Sequence, residues 1–410
     1  MMTTLQARGE AESAYAWWRL AASLALMTIG GAGMYAVAVA LPPVQAEFGV
    51  ARSAASLPYT FTMIGFGLGG ILMGRLSDRF GVMLPVLIGG AGLGVGFVAA
   101  GWAQSLTQFV IVQGLLIGLL GTSATFAPLV ADTSMWFTRR RGIAVAICAS
   151  GNYLAGAIWP PVLQYFFDGA GWRATYIGVG VFCLVTMLPL ALLLRPRPPL
   201  PGAAAAAAAA GSPRQLGLSP NALVVLLCIA GVACCVAMSM PQVHIVAYCG
   251  DLGYAAARGA EMLSLMLGFG IVSRLASGWI SDRIGGLRTL LVGSGLQGVA
   301  LLLFLPFDGL ASLYVVSALF GLFQGGIVPS YAIIVREYFP PGVAGARLGL
   351  VLMCTLFGMA LGGWMTGAIF DLTGSYRAAF LNGIGWNLLN LTIAFWLLRR
   401  SLAQSAQRSA

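Results

Sequence analysis

Long apolar runs of about 20 residues recur along the whole chain, separated by short polar segments. A helix of this length crosses a hydrocarbon core of roughly 30 Å, and it satisfies its own backbone hydrogen bonds there. Twelve such runs follow one another, at residues 18–41, 54–74, 82–102, 107–131, 142–165, 173–194, 221–248, 258–280, 289–306, 311–335, 346–370 and 377–398. The pattern predicts an all-α membrane protein with twelve transmembrane helices.

Composition and charge support this class. The 410 residues are 59% hydrophobic and 8% charged, whereas about a quarter of a soluble domain is charged. The net charge of +10 would suggest a nucleic acid partner in a soluble protein, but here the arginines follow the membrane. With both termini cytoplasmic, seventeen lie in inside segments, and the outer segments hold only Arg52, Arg173, Arg258 and Arg377. We therefore expect a multi-pass protein of the cell (inner or plasma) membrane, embedded in the lipid bilayer, that binds no nucleic acid.

The chain repeats itself about halfway along. The stretch "GRLSDRFG" at Gly74–Gly81 returns as "GWISDRIG" at Gly278–Gly285, and a Pro, Gly and Ala-rich segment lies between the two copies. We predict a six-helix bundle at 1–194, a cytoplasmic linker at 195–220 and a second six-helix bundle at 221–410. Internal repeats with a substrate site near the bilayer midplane are typical of secondary transporters.

The repeated loop resembles the signature of the major facilitator superfamily, after the second and eighth spans. We expect a gating role, in which the first glycine admits a neighbouring helix and the last glycine permits a tight turn. The aspartate is expected to pair with an arginine or to cap a helix across the seam between the two halves. A basic loop set by topology alone is the alternative. The conformational candidates are Gly74, Asp78, Arg79 and Gly81, with Gly278, Asp282, Arg283 and Gly285.

Three further stretches resemble the monocarboxylate transporter family: "MWFTRRRGIAVAICASGNYLAG" (135–156), "GFGIVSRLASG" (268–278) and, in degenerate form, "YAWWRL" (15–20). The degenerate stretch suggests the bacterial branch, which is oxalate/formate-antiporter-like. The resemblance implies the fold of that superfamily, two pseudo-symmetric six-helix bundles, and transport by alternating access.

Arg274 stands alone in an apolar run, eight residues before Asp282 and so about 12 Å along the helix. An arginine near mid-membrane costs at least about 2.5–3.5 kcal/mol on insertion scales and keeps its proton. Its planar fork fits a substrate carboxylate, and the resemblance assigns the same role to this position. A structural pair with Glu337 or with backbone carbonyls is the alternative. Gly270 replaces an aspartate that animal members are thought to use for the proton.

Other polar residues lie within the spans. Those that could orient a substrate, or equally hold helices together, are Asn152, Tyr153, Gln324, Tyr35, Tyr59 and Tyr331. An unperturbed histidine has a pKa of about 6.5, so His244, the single histidine, is a candidate for a proton or gate role, against a packing role. Beside it, Gln242 and Pro241 are gate candidates, and Pro241 should break or kink its helix.

These residues favour a secondary active transporter of small monocarboxylates, such as lactate or pyruvate, with protons as a coupled partner. The alternatives are an organic-anion exchanger of the oxalate/formate type and an exporter of another small molecule. One buried cation favours a single carboxylate on the substrate. The sequence offers no catalytic constellation, no metal-ligand spacing and no cofactor motif, and we expect a monomer.

Overall fold

The computed structural model describes residues 12–197 and 216–409, and every regular element in these residues is helical. Eleven of the described helical segments are long and apolar enough to cross a membrane. Such segments form because aliphatic and small residues dominate each run and leave few charges to solvate.

The first half contains helices that closely follow the predicted spans. They are α1 (Ala14–Gly30), α2 (Ala32–Phe48), α3 (Arg52–Phe80), α4 (Met83–Gly101), α5 (Leu106–Val112), a π-helical stretch (Gln113–Thr122), α6 (Ala127–Trp136) and α7 (Arg141–Leu192). Glycines allow α3 to lie directly on the π-helical stretch, because a Cβ on Gly118 would be 2.5 Å from the carbonyl oxygen of Thr62.

Helix α7 accounts for two of the twelve predicted spans. It has 52 residues, and Gly171 breaks its regular backbone with φ 80° and ψ 158°. Since a span needs about 20 residues, α7 is long enough for two crossings that meet near Gly171. The predicted all-α membrane fold with twelve spans is therefore confirmed.

The second half contains α8 (Pro220–Asp251), α9 (Ala256–Ile284), α10 (Gly286–Leu303), α11 (Leu310–Gln324), α12 (Ile327–Tyr338), α13 (Pro341–Thr373) and α14 (Tyr376–Ser409). Helix α8 packs against α13 and α14 and begins at a side-chain cap, in which Ser219 Oγ accepts a hydrogen bond from the N–H of Ala222.

Pro241 does not break its helix, because α8 continues through it without interruption, and the alternative prediction of a kink stays a prediction. A proline removes one backbone hydrogen bond from a helix. Here the flanking residues are buried in contact with neighbouring helices, so packing holds the helix together across the missing bond.

Residue contacts divide the chain into two compact units. The first contains residues up to Val50 and from Ala55 to the linker, and the second contains Ala51–Ala54 and the chain beyond the linker. Four residues between α2 and the body of α3 thus belong with the second unit. Most of the linker, residues 198–215, lies outside the described residues.

Candidate functional site

Arg274 lies half-buried on α9. The residue before it, Ser273, is buried where α9 packs against α11 and α12. That surface is close-packed, because a Cβ on Gly325 would be 2.4 Å from the carbonyl oxygen of Gly270 and one on Gly326 would be 2.2 Å from Ser277 Cβ. The Ser277 hydroxyl also donates to the backbone carbonyl of Arg274, at 3.0 Å. Arg274 is therefore carried by a close-packed pair of helices, as a binding group should be.

The polar candidates of the first unit lie on three helices. Tyr35 on α2, Tyr59 on α3 and Tyr153 on α7 are buried, and Asn152 beside Tyr153 is half-buried. Their predicted role in substrate binding stays a prediction.

Two candidates of the second unit differ in their hydrogen bonding. The Tyr331 hydroxyl donates to Asn390 Oδ1 at 3.2 Å, and Asn390 Nδ2 donates to Ser294 Oγ at 2.7 Å. Gln324, the last residue of α11, is fully buried, and neither atom of its amide has a hydrogen-bond partner among the described residues. An amide left in that state costs about 1–3 kcal/mol, so it is the better candidate to meet a polar ligand.

His244 lies fully buried on α8, with Gln242 and Pro241 buried beside it. Its Nε2 is 2.8 Å from the carbonyl oxygen of Gly363 on α13, and its Nδ1 is 3.4 Å from the Tyr376 hydroxyl on α14. The histidine thus bonds on both ring nitrogens to two helices of its own unit.

Arg52, which begins α3 and belongs to the second unit, joins the same group of side chains. Its guanidinium binds both carboxylate oxygens of Asp251, at 2.9 and 3.2 Å, and also donates to the Tyr376 hydroxyl. Asp371 accepts hydrogen bonds from the backbone N–H groups of Arg52 and Ser53, at 2.9 and 2.8 Å. The carboxylate therefore caps the start of α3.

Sequence reasoning missed this cluster and a second one in the first unit. Arg19 on α1 binds Asp132 on α6 through two hydrogen bonds of 2.8 and 2.9 Å, and its guanidinium carbon lies 4.7 Å from the ring centroid of Trp136. From the sequence alone, both arginines are explained by membrane topology. The sequence feature that could have revealed both pairs is the rarity of acidic residues in the spans. An acidic residue near the end of a span needs a cationic partner, so each one indicates an ion pair.

The repeated loops agree with the predicted turns. Gly81 and Gly285 have φ values of 86° and 82°, a left-handed conformation that glycine adopts without strain. These turns follow the ends of α3 and α9 at equivalent places in the repeat.

Two contacts expected at these loops are absent from residues 12–197 and 216–409. No atom lies within 4 Å of the place where a Cβ on Gly74 or Gly278 would be, and the exposed Asp78 and Asp282 make neither an ion pair nor a helix cap. The helix approach and the aspartate pairing are expected with the other half of the chain, so both stay predictions. Arg79 and Arg283 are exposed beside them, and Arg283 lies over the ring of Trp279 at 3.4 Å. The gating role of the eight residues stays a prediction.

Comparisons with known proteins define the class. The model of the Major Facilitator Superfamily matches residues 22–312 and 262–410. Monocarboxylate transporter 13 of Bos taurus is 30% identical over 310 residues, which cover 75% of this chain and 71% of that protein. Monocarboxylate transporter 12 of Xenopus laevis is 26% identical over 336 residues, with 75% and 72% covered. Within the described residues no group of His, Cys, Asp and Glu could hold a metal ion.

A solved structure agrees in fold. A bacterial homolog to the human lysosomal transporter Spinster, in an inward-facing and unoccupied conformation, superimposes with a TM-score of 0.74 at 15% identity, covering 96% of this chain and 99% of the other. The family model and the relatives show that the protein is a membrane transporter and not an enzyme. The chain belongs to the Major Facilitator Superfamily and, within it, to the monocarboxylate transporter family.

Proposed function

We propose that this transporter carries small monocarboxylates of the lactate and pyruvate class by alternating access, and that Arg274 binds the carboxylate. The observation that carries the proposal is a permanent cation, half-buried near the middle of α9, on a helix pair held rigid by glycine contacts. The relatives that are named monocarboxylate transporters support the same substrate class.

The number of cations limits the size of the substrate. A dicarboxylate would favour a second cation beside the substrate, but α13 contains only Arg347, which is half-buried near the start of the helix and donates to Asn221 at 2.9 Å. The two buried arginines of the described residues, Arg19 and Arg52, are already bound by Asp132 and Asp251. A single guanidinium can bind one carboxylate through two parallel hydrogen bonds. In this proposal the amide of Gln324 offers a donor and an acceptor to the rest of the substrate, such as a keto or hydroxyl oxygen.

We further propose proton-linked symport across the inner membrane, with cytoplasmic termini on the evidence of the arginine distribution. His244 is the residue that we assign to the proton. An exchanger of the oxalate/formate type is the second candidate, and the observation in its favour is Gly270, which leaves α9 without a carboxylic acid one turn before Arg274.

The test is uptake of labelled lactate and pyruvate into proteoliposomes, with oxalate and formate as competitors and with or without a pH gradient. Arg274→Lys keeps the charge but loses the planar fork, so it should weaken substrate binding about ten- to a hundredfold. Arg274→Ala loses both and should abolish specific uptake.

The matched control is Arg258→Ala in the first turn of the same helix, where the exposed Arg258 pairs with Glu261 at 3.0 Å. Its uptake should equal that of the wild type. If Arg274→Ala inserts normally and still accumulates monocarboxylate at the wild-type rate, the assignment of the arginine is wrong. If monocarboxylate moves only in exchange for oxalate or formate, the second candidate replaces symport.

A further inference from the structure

The side chains around Arg52 form one continuous hydrogen-bonded group, which we call the Arg52 clasp: Arg52, Asp251, Asp371, Tyr376 and His244. It holds residues 51–54 within the second unit, although the rest of α3 belongs to the first. Two carboxylates bind Arg52, one through its guanidinium and one through its backbone N–H. The phenyl ring of Phe370 covers the guanidinium at 4.7 Å.

The direction of each hydrogen bond in the clasp follows from the chemistry of the partners. A carbonyl oxygen only accepts, so the proton between His244 and Gly363 is on Nε2 of the imidazole. In the neutral ring Nδ1 is then an acceptor, and it faces the Tyr376 hydroxyl. That hydroxyl donates to Nδ1 and accepts from the Arg52 guanidinium. The chain therefore runs from Arg52 through Tyr376 to His244 without conflict only while His244 is neutral.

We propose that the Arg52 clasp is a proton-controlled latch, in which protonation of His244 releases residues 51–54 from the second unit. A proton that adds to Nδ1 turns the acceptor into a donor, so the Tyr376 hydroxyl loses the acceptor for its own proton. It also creates a second positive charge in a group that already contains a buried guanidinium.

The charged and titratable groups around the imidazole determine whether the clasp is more stable at high or at low pH. Those that face His244 are Arg52 from the start of α3, Asp371 from α13 and Tyr376 from α14. Asp251 is engaged by both terminal nitrogens of Arg52, and Asp371 by the N–H groups of Arg52 and Ser53, so both carboxylates already have cationic or N–H partners. The clasp is therefore stable at pH values where His244 is neutral and is lost as the pH falls and the imidazole takes up a proton.

Hydrogen–deuterium exchange of the intact protein in nanodiscs tests this latch without reference to any cargo. The reporters are the amide protons of Arg52 and Ser53, because Asp371 accepts both and exchange requires their release. After correction for the intrinsic effect of pH on exchange, these amides should exchange at least about tenfold faster at pH 4 than at pH 8 in the wild type.

Two variants distinguish the proposed latch from a general loss of protein stability at low pH. His244→Gln cannot titrate, so the corrected exchange of residues 51–57 should be independent of pH. Tyr376→Phe removes the hydroxyl that connects histidine to arginine but keeps the charge of a protonated His244, so its pH response should be smaller than that of the wild type. Arg377→Ala is the matched control, because Arg377 follows Tyr376 directly but pairs with Asp308 at the surface. It should behave as the wild type. A wild-type rate that does not change with pH overturns the proposal, as does a pH response that survives in His244→Gln or is undiminished in Tyr376→Phe.

Discussion

The two units each contain a buried arginine that binds a carboxylate through two hydrogen bonds, yet the two pairs differ in their access to water. In the first unit the side chains of Arg19 and Asp132 are both 2% exposed. In the second unit Arg52 is 9% exposed but its partner Asp251 is 36% exposed. The first pair is sealed among its own helices, whereas water already reaches one side of the second.

This difference separates a permanent contact from one that can open and close. Separating two ions inside a dry site leaves each charge without a solvent, and the penalty is several kcal/mol per ion. A carboxylate at the surface recovers its hydration as soon as the arginine leaves, so the barrier to opening is smaller. We therefore propose that the Arg19 pair stabilises the first unit, and that the Arg52 pair breaks and re-forms as residues 51–54 are released and bound again.

The largest effect should follow from removal of the sealed carboxylate. Asp132→Ala leaves the buried Arg19 without its counter-ion, and the free energy of unfolding should fall by about 3–5 kcal/mol. Reversible denaturation in mixed micelles measures the change. The double variant Arg19→Met/Asp132→Leu removes both charges and should recover most of the lost stability.

That comparison would fail if Asp132→Ala had the stability of the wild type. In that case water must already hydrate Arg19, and the burial of the pair would not distinguish the two units.

An intermediate effect is expected for the half-exposed pair. Asp251→Ala breaks charge-assisted hydrogen bonds to Arg52, and each such bond contributes about 1.5–3 kcal/mol. Because water can replace part of the interaction, the free energy of unfolding should fall by less than in Asp132→Ala. Asp251→Glu keeps the charge and serves as the control. Equal losses in Asp251→Ala and Asp132→Ala would show that both pairs are structural.

Features that depend on neighbouring residues were predictable from the sequence. The fourth observed helix, Met83–Gly101, lies within one residue of the predicted span 82–102, because about 20 apolar residues must cross the bilayer as a helix. The positive φ of Gly81 and Gly285 was predictable for the same local reason, since a tight turn after a helix favours glycine.

Features that depend on pairing across the chain were not predictable. Arg19 and Asp132 are 113 residues apart, and Arg52 and Asp251 are 199 apart. Charge patterning reports the side of the membrane on which an arginine lies, but it contains no information about which acid it meets. For the same reason the sequence could not distinguish Gln324 from Tyr331, and only the structure shows that the tyrosine has a partner in Asn390.

The smallest loss of stability is expected for an ion pair in which both side chains are exposed to water. Arg377 and Asp308 are 61% and 52% exposed and lie 3.4 Å apart. Exposed pairs of this kind contribute at most about 1 kcal/mol, because hydration of the separated ions nearly equals their attraction. Asp308→Asn should therefore change the free energy of unfolding less than either other variant, and added salt should abolish the difference. If its loss matched that of Asp251→Ala, exposure would not rank the three pairs, and the distinction between a permanent pair and a releasable one would need another cause.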